Sequence, residues 1–189
     1  MAINLDKGSS INLNKSAPSL KKLRLGLGWD LLTNGAPLDL DASVFICKYD
    51  NKQQPKLISD EHFVFYNNLQ CPYNAVIHDG DNRTGDGDGD DEVIHINLAD
   101  INPAAQELSV FVTIHNANGR TFSSVSNSYI NLYNEQTGDL IAQYNLGQSF
   151  SDETSVQVGS LVKDNGEWIF HAVGAGYQLG LGDIVAGYQ

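Results

Sequence analysis

Apolar residues recur at every second position through most of the chain, the spacing of strands with one buried face. Leu23, Leu25, Leu27 and Trp29 alternate through LRLGLGW, with Gly26 and Gly28 at the outward positions, where glycine permits close backbone approach. A second run, Leu38, Leu40, Ala42, Val44 and Ile46, leaves Asp39, Asp41 and Ser43 on the opposite face. Period two therefore puts both carboxylates on one side. Ile3 and Leu5, followed by Ile11 and Leu13, predict a hairpin across LDKGSS. His62 to Tyr66 predicts a short aromatic strand, Val76-Ile77 and Val93 to Leu98 flank an acidic stretch, and Leu108 to His115 is β-rich. Hairpins are predicted for Ser128–Tyr133 with Asp139–Leu146, and for Val156–Val162 with Trp168–Val173. The second turns at Asn165-Gly166, the strongest hairpin signal in the chain. Asn102-Pro103 has the form of an N-cap with proline at the first helical position, predicting one short helix to about Glu107. The C-terminal GAGYQLGLGDIVAGYQ fits either a final strand or an irregular flap. About ten short strands and one helix predict an all-β fold, an antiparallel β-sandwich, with residues 1–189 as a single domain.

Charge adds a focus to that pattern. The formal net charge is −12, and His78 to Glu92, HDGDNRTGDGDGDDE, holds Asp79, Asp81, Asp86, Asp88, Asp90, Asp91 and Glu92 against Arg83 alone. Half of the net charge thus lies in one loop. Two carboxylates about 5 Å apart repel by roughly 3 kcal/mol at an effective dielectric near 20, so drawing them together requires a cation. Gly80, Gly85, Gly87 and Gly89 permit positive φ values that turn carbonyls inward, and a flexible all-oxygen cage suits Ca²⁺ better than Zn²⁺ or Mg²⁺. The plainer alternative is a solvated acidic loop. An EF-hand does not fit: counting from Asp86, Asp91 stands where glycine is required and Asn97 where glutamate is required. A phosphate-cradling loop fails as well, because Lys and Ser/Thr are missing and the carboxylates would repel phosphate.

Loops of a sandwich gather at its two ends, so the acidic loop is expected to share an end with other exposed acids. Asp30 closes GLGWD, Asp39 and Asp41 share the face of DLDAS, and Asp152-Glu153 in FSDET are either ligands or simply a loop. The acidic balance disfavours direct nucleic-acid binding, and allows contact with an anionic membrane surface only where divalent cations bridge it. No run approaches 18 apolar residues, and MAINLDKGSSINLNK lacks a basic segment followed by an apolar one, so the expected location is the cytoplasm. Cys47 and Cys71 have neither disulfide-framework nor CxxC spacing; Cys47 is expected in the core and Cys71 exposed. His62, His78, His95, His115 and His171 stand in no catalytic or zinc-binding spacing, and each is expected as a hydrogen-bonded structural residue.

The segments GLGWD, DLDAS, FVFYNN, HDGDNRTGDGDGDDE, IHNANGRTF, YNEQTG and EWIFHAVGAGY together resemble the TerD-domain family of tellurium-resistance and general stress proteins, nearly end to end. The resemblance implies a β-sandwich binding two neighbouring Ca²⁺ ions through acidic loops, in a bacterial cytoplasm, alongside other Ter-family proteins. By its motif the ligand candidates are Asp81, Asn82, Asp86, Asp88, Asp90, Asp91 and Glu92, with glycine carbonyls such as those of Gly85 and Gly89 completing the shell. Asp30, Asp39 and Asp41 follow from the matching GLGWD and DLDAS blocks. Asn116 departs from the family pattern, which more often has an acid there, and puts any weaker site near it in doubt. The expected function is a noncatalytic Ca²⁺-dependent binding or scaffold module in stress resistance. The alternatives are a metal-dependent phosphoester hydrolase and a Ca²⁺-dependent lectin-like binder.

Overall fold

In the computed structural model, residues 2–31, 38–85, 89–146 and 150–189 are described. The chain forms strands β1 (Ile3–Asn4) and β2 (Ser10–Asn12), helix α1 (Leu13–Ser16), then β3 (Lys22–Leu31), β4 (Leu40–Tyr49), β5 (Pro55–Leu57), β6 (Phe63–Val64), β7 (Val76–His78) and β8 (Glu92–Asn97). It continues with β9 (Glu107–Ile114), β10 (Val125–Asn134), β11 (Leu140–Asn145), β12 (Ser155–Asp164), β13 (Glu167–His171), β14 (Ala175–Tyr177) and helix α2 (Leu181–Tyr188). Two sheets result. One runs β1-β11-β10-β3-β8-β7; the other runs β2-β13-β12-β9-β4-β5, with β14 on β12 and β6 on β4. Among the described residues, all strand pairings are antiparallel except β1 with β11.

The expected sandwich is present, and its inner layer follows the alternation. Leu23, Leu25 and Leu27 of β3, Ile94 and Ile96 of β8, Leu40, Val44 and Ile46 of β4 and Leu108, Val110 and Val112 of β9 are all buried in one core. The β12–β13 hairpin turns at Asn165 (φ 49°) and Gly166 (φ 84°), the left-handed pair that matches the twist of the flanking strands. Cys47 is buried as expected.

Four local expectations are corrected. The segments around Ile3 and Ile11 are not a hairpin: β1 pairs with β11 in one sheet and β2 with β13 in the other, so the intervening turn carries the chain between layers. No helix follows Asn102. Its Oδ1 accepts from Ala104 N at 3.0 Å, a local turn, and Gln106 N already donates to Cys47 O, so sheet pairing takes over. The C-terminal segment is neither strand nor flap alone: β14 leads into α2, which packs Ile184 over Phe45, Cys47, Phe63 and Phe111 on the outer face of β4 and β9. Cys71 is buried, with its Sγ accepting from Val76 N at 3.2 Å.

The consequence for function lies in β4. Its inner face joins the main core, and its outer face is apolar only at the Phe45–Cys47 end, under α2. The Asp39–Asp41 end of that outer face is polar, and β8 emerges from the acidic loop beside it.

Candidate metal centre

Asp39 and Asp41 lie on one face, as period two requires, and the register of β4 on β9 sets Asp41 opposite Thr113 and Leu40 opposite Ile114. His115 N donates to Asp39 O at 2.9 Å, extending the pairing one residue past β9. The His115 ring then meets the acids, with Nδ1 3.5 Å from Asp41 Oδ2. On the other side of β4, where β6 has ended, Ala42 N donates to Glu92 Oε2 at 2.7 Å. Glu92 is thus held by the free edge of β4, and its carboxylate reaches Asp41 and Asp81.

Among the described residues, two groups of donors share Asp41. One is Asp41, Asp81 and Glu92, the other Asp39, Asp41 and His115; within each, one ligand atom per residue lies within 4.8 Å of the others. That is no wider than two oxygens on a single Ca²⁺ at about 2.4 Å can stand apart. Asp41 is 2% exposed, and among the described residues neither of its carboxylate oxygens has a hydrogen-bond donor; Asp39 Oδ1 is also buried without one there. A buried, unpartnered carboxylate is costly, and one facing further carboxylates more so. Burial first, then Glu92, Asp39 and Asp81, push the Asp41 carboxyl up to about 8. Burial, then Asp81, raises Asp39 as well, against the weaker pull of His115 and Arg83. Glu92 is raised by burial, opposed by His78 and by the backbone donors of Ala42 and Asn82.

The Glu92 partner His78 is itself oriented. Gly80 N donates to His78 Nδ1 at 3.0 Å, so the ring proton belongs on Nε2, which stands 3.4 Å from Glu92 Oε2.

The remaining loop acids do other work. Asp90 turns to the outer face of β3, where its carboxylate lies directly on Gly26 in the space a Cβ would fill. Arg24 Nη1 donates to it at 3.0 Å, and Asn131 and Tyr133 approach it at 3.4 Å. The glycine at an outward position thus admits a carboxylate rather than another backbone. Asp91 accepts from Trp29 N at 2.9 Å and from Asn82 Nδ2 at 3.2 Å. Asn82 Oδ1 accepts from Thr84 N and Gly85 N, closing the loop on itself. Gly85 (φ 65°) sits directly on the Trp29 indole, and Gly89 (φ 102°) offers its carbonyl to Tyr129. Asp30 is exposed and accepts from Asn127. Asp86 and Asp88 lie outside the described residues.

Residues 1–188 match the family model of the TerD domain. The chain belongs to the TerD-domain family. Over its full length this TerD-domain chain is 42% identical to tellurium resistance protein TerD of Serratia marcescens, covering 97% of that protein. It is 41% identical to general stress protein 16U of Bacillus subtilis (strain 168), again over its full length and 97% of the relative. A crystal structure of a telluride resistance protein (TerD) homologue from Streptomyces coelicolor A3(2) shares the fold at a TM-score of 0.69. That match covers 89% of this chain and 98% of the other at 22% identity.

Within the TerD domain, then, the geometry separates the expected ligands. Asp39, Asp41, Asp81 and Glu92 converge; Asp30, Asn82, Gly89, Asp90 and Asp91 are bonded into the fold around them. Glu153 accepts from Ser151 N and Asp152 N in its own loop, outside both donor groups. His115 was expected only as a structural residue, and its place beside Asp39 and Asp41 depends on the β4–β9 register. A hard divalent cation fits the convergent acids: it would give the orphaned Asp41 oxygens a partner and neutralise their mutual repulsion. No helix of the described residues is long and apolar enough to cross a membrane.

Proposed function

We propose that this stress-response and tellurium-resistance family member is a Ca²⁺-binding module without catalytic activity, whose cation-loaded end serves as a binding or scaffolding surface in the bacterial cytoplasm. The observation that carries the reading is Asp41: both carboxylate oxygens are buried and lack a donor among the described residues, and the group lies against Asp81 and Glu92. Asp41, Asp81 and Glu92 would hold the ion. All-oxygen and anionic, they suit Ca²⁺ better than Mg²⁺, which demands a tighter octahedron. The bound ion would supply charge neutralisation and tie the acidic loop to the edge of β4.

Ligation rather than turnover is the chemistry these groups offer. Glu92 is held by Ala42 N, with His78 Nε2 3.4 Å away, which leaves it a positioned acceptor rather than a mobile base. Other Ter-family proteins are the partners the family relationship favours, and the net charge of −12 would restrict any contact with anionic surfaces to one bridged by cations.

The test is thermal melting in Ca²⁺, in Mg²⁺ and in chelator, paired with calorimetric titration. At free Ca²⁺ a hundred times Kd, one site adds about 2.7 kcal/mol to stability. A rise in melting temperature specific to Ca²⁺ is expected, and equal melting under all three conditions would remove the metal reading.

A further inference from the structure

The aromatic cluster beneath α2 continues past the helix. Leu57, Asp60, Phe63, Phe65, Tyr66 and Val185 line a cavity of about 570 Å³ between α2, β5 and the segment through β6. Phe63 and Phe65 stack at 4.3 Å, and Phe65 and Tyr66 meet at 74°, so the rings turn a corner around the cavity instead of lying in one plane. Asp60 opens the one-turn helix Asp60–His62 and is exposed, and among the described residues its carboxylate has no ion pair. No lysine or arginine is among the described lining residues; Lys56, next to Leu57 on β5, is held instead by the carbonyls of Gly187 and Gln189. We propose that this cavity binds a small quaternary ammonium solute, with the charge held between the aromatic rings and Asp60.

Charge and lining select that class. Aromatic rings present negative faces, which attract a cation near the centroid, more strongly where water is displaced. A negative field reaches these rings from elsewhere too: burial first, then Asp41, Asp81 and Asp39, raise the Tyr66 hydroxyl above its ordinary range. An anion would be opposed by Asp60 and by the net charge of −12. An inorganic cation needs a shell of oxygens, which a lining of Leu57, Phe63, Phe65 and Val185 does not supply. A primary ammonium brings three N–H donors, each needing an acceptor when water is lost. A fully alkylated nitrogen brings none, and its methyl groups suit the aliphatic walls. The phosphate of a choline headgroup in a lipid would meet Asp60, so the charge balance favours a free solute over a membrane surface. Asp39, Asp41, Asp81, Glu92 and His115 do not line this cavity, and the proposal stands apart from the calcium reading.

The experiment titrates choline, and its neutral isostere with carbon in place of the nitrogen, into the protein in chelator, followed by NMR. Choline is expected to bind about tenfold more tightly than the isostere, a difference of about 1.4 kcal/mol that lies within the range of a cation over aromatic faces. The N-methyl protons of choline should shift upfield and cross-relax with the rings of Phe63, Phe65 or Tyr66, a readout on the unaltered protein. Phe65→Leu should weaken choline by about fivefold and the isostere by less than about twofold, because only the charged guest uses the ring face. Asp60→Asn, at an exposed position, should weaken choline by about threefold at low salt and leave the isostere unchanged. Vesicles of phosphatidylcholine should not sediment the protein. Absence of choline binding, equal affinity for choline and isostere, choline contacts confined to another part of the molecule, or an affinity for choline that both substitutions leave intact would each overturn the proposal. Sedimentation with the vesicles that free choline reverses would overturn the assignment to a free solute.

Discussion

Asp41, beside the likewise raised Asp39 and Glu92, contributes a pH dependence to the metal-free protein. Its carboxyl titrates near 3.8 in an unfolded chain and at about 8 when folded, chiefly through burial and secondarily through Glu92. Between those values the folded form holds a proton that the unfolded form has lost, so this group's contribution to stability is greatest at acid pH and declines as pH rises toward 8. The full span is on the order of 5 kcal/mol, an upper limit because relaxation and water entry lower it. In chelator, the melting temperature is therefore expected to fall from about pH 5 to about pH 8, and Asp41→Asn should flatten that fall; a profile unchanged by the substitution would place the titration elsewhere. Cation binding opposes the trend, because it requires the ionised carboxylate and expels the proton. At this scale the sequence was partly readable. The shared face of Asp39 and Asp41 follows from period two alone. The roles of Asp90 and Asp91 did not, because spacing in a loop does not say that one acid turns to Arg24 and the other to the Trp29 backbone.

Among elements, α2 was the hardest to anticipate. LGDIVAGY carries two glycines, poor helix formers, and spans about two turns, too short to be stable by itself. Tertiary contacts hold it instead. Ile184 is 6% exposed against the Phe45, Phe63 and Phe111 cluster. Tyr188 Oη donates to Ser109 Oγ at 3.2 Å, and Lys56 Nζ donates to the carbonyls of Gly187 and Gln189. Lys56 thus meets the negative end of the helix dipole, which adds to the hold. Ile184→Ala should cost about 2–4 kcal/mol in chemical denaturation, the usual penalty for emptying a buried aliphatic site. A loss below about 0.5 kcal/mol would mean that α2 is not seated there. The hairpins, by contrast, were readable because Asn165-Gly166 encodes its own turn.

For the whole molecule, half of the −12 net charge falls in the stretch from His78 to Glu92, a local self-repulsion. Screening matters most where charges are exposed, and the Debye length shrinks from about 30 Å at 0.01 M salt to about 8 Å at 0.15 M. In chelator, added KCl is expected to raise the melting temperature, and saturating Ca²⁺ should reduce that salt dependence. Equal salt slopes with and without Ca²⁺ would show that the cation does not neutralise the acidic end. A layered fold suits this arrangement: the apolar inner faces of both sheets carry the core, leaving loops and strand edges at the end to hold repelling groups.

The alternation of apolar and polar residues determined the two-layer β fold, most strands and the sidedness of Asp39 and Asp41, and the motif segments determined the family. Those are consequences of local period and motif, which a linear chain expresses directly. Tertiary structure decided what period cannot encode: that β1 and β2 part into different sheets, that α2 covers the outer face of β4, and that Cys71 is buried. It also chose which acids converge. Asp41 meets Glu92 because β6 stops short and leaves Ala42 N to be filled, and it meets His115 because β9 pairs with β4 in one register. Strand ends and register are set by competition among whole strands for partners, so the site they build is a property of the assembled sheets.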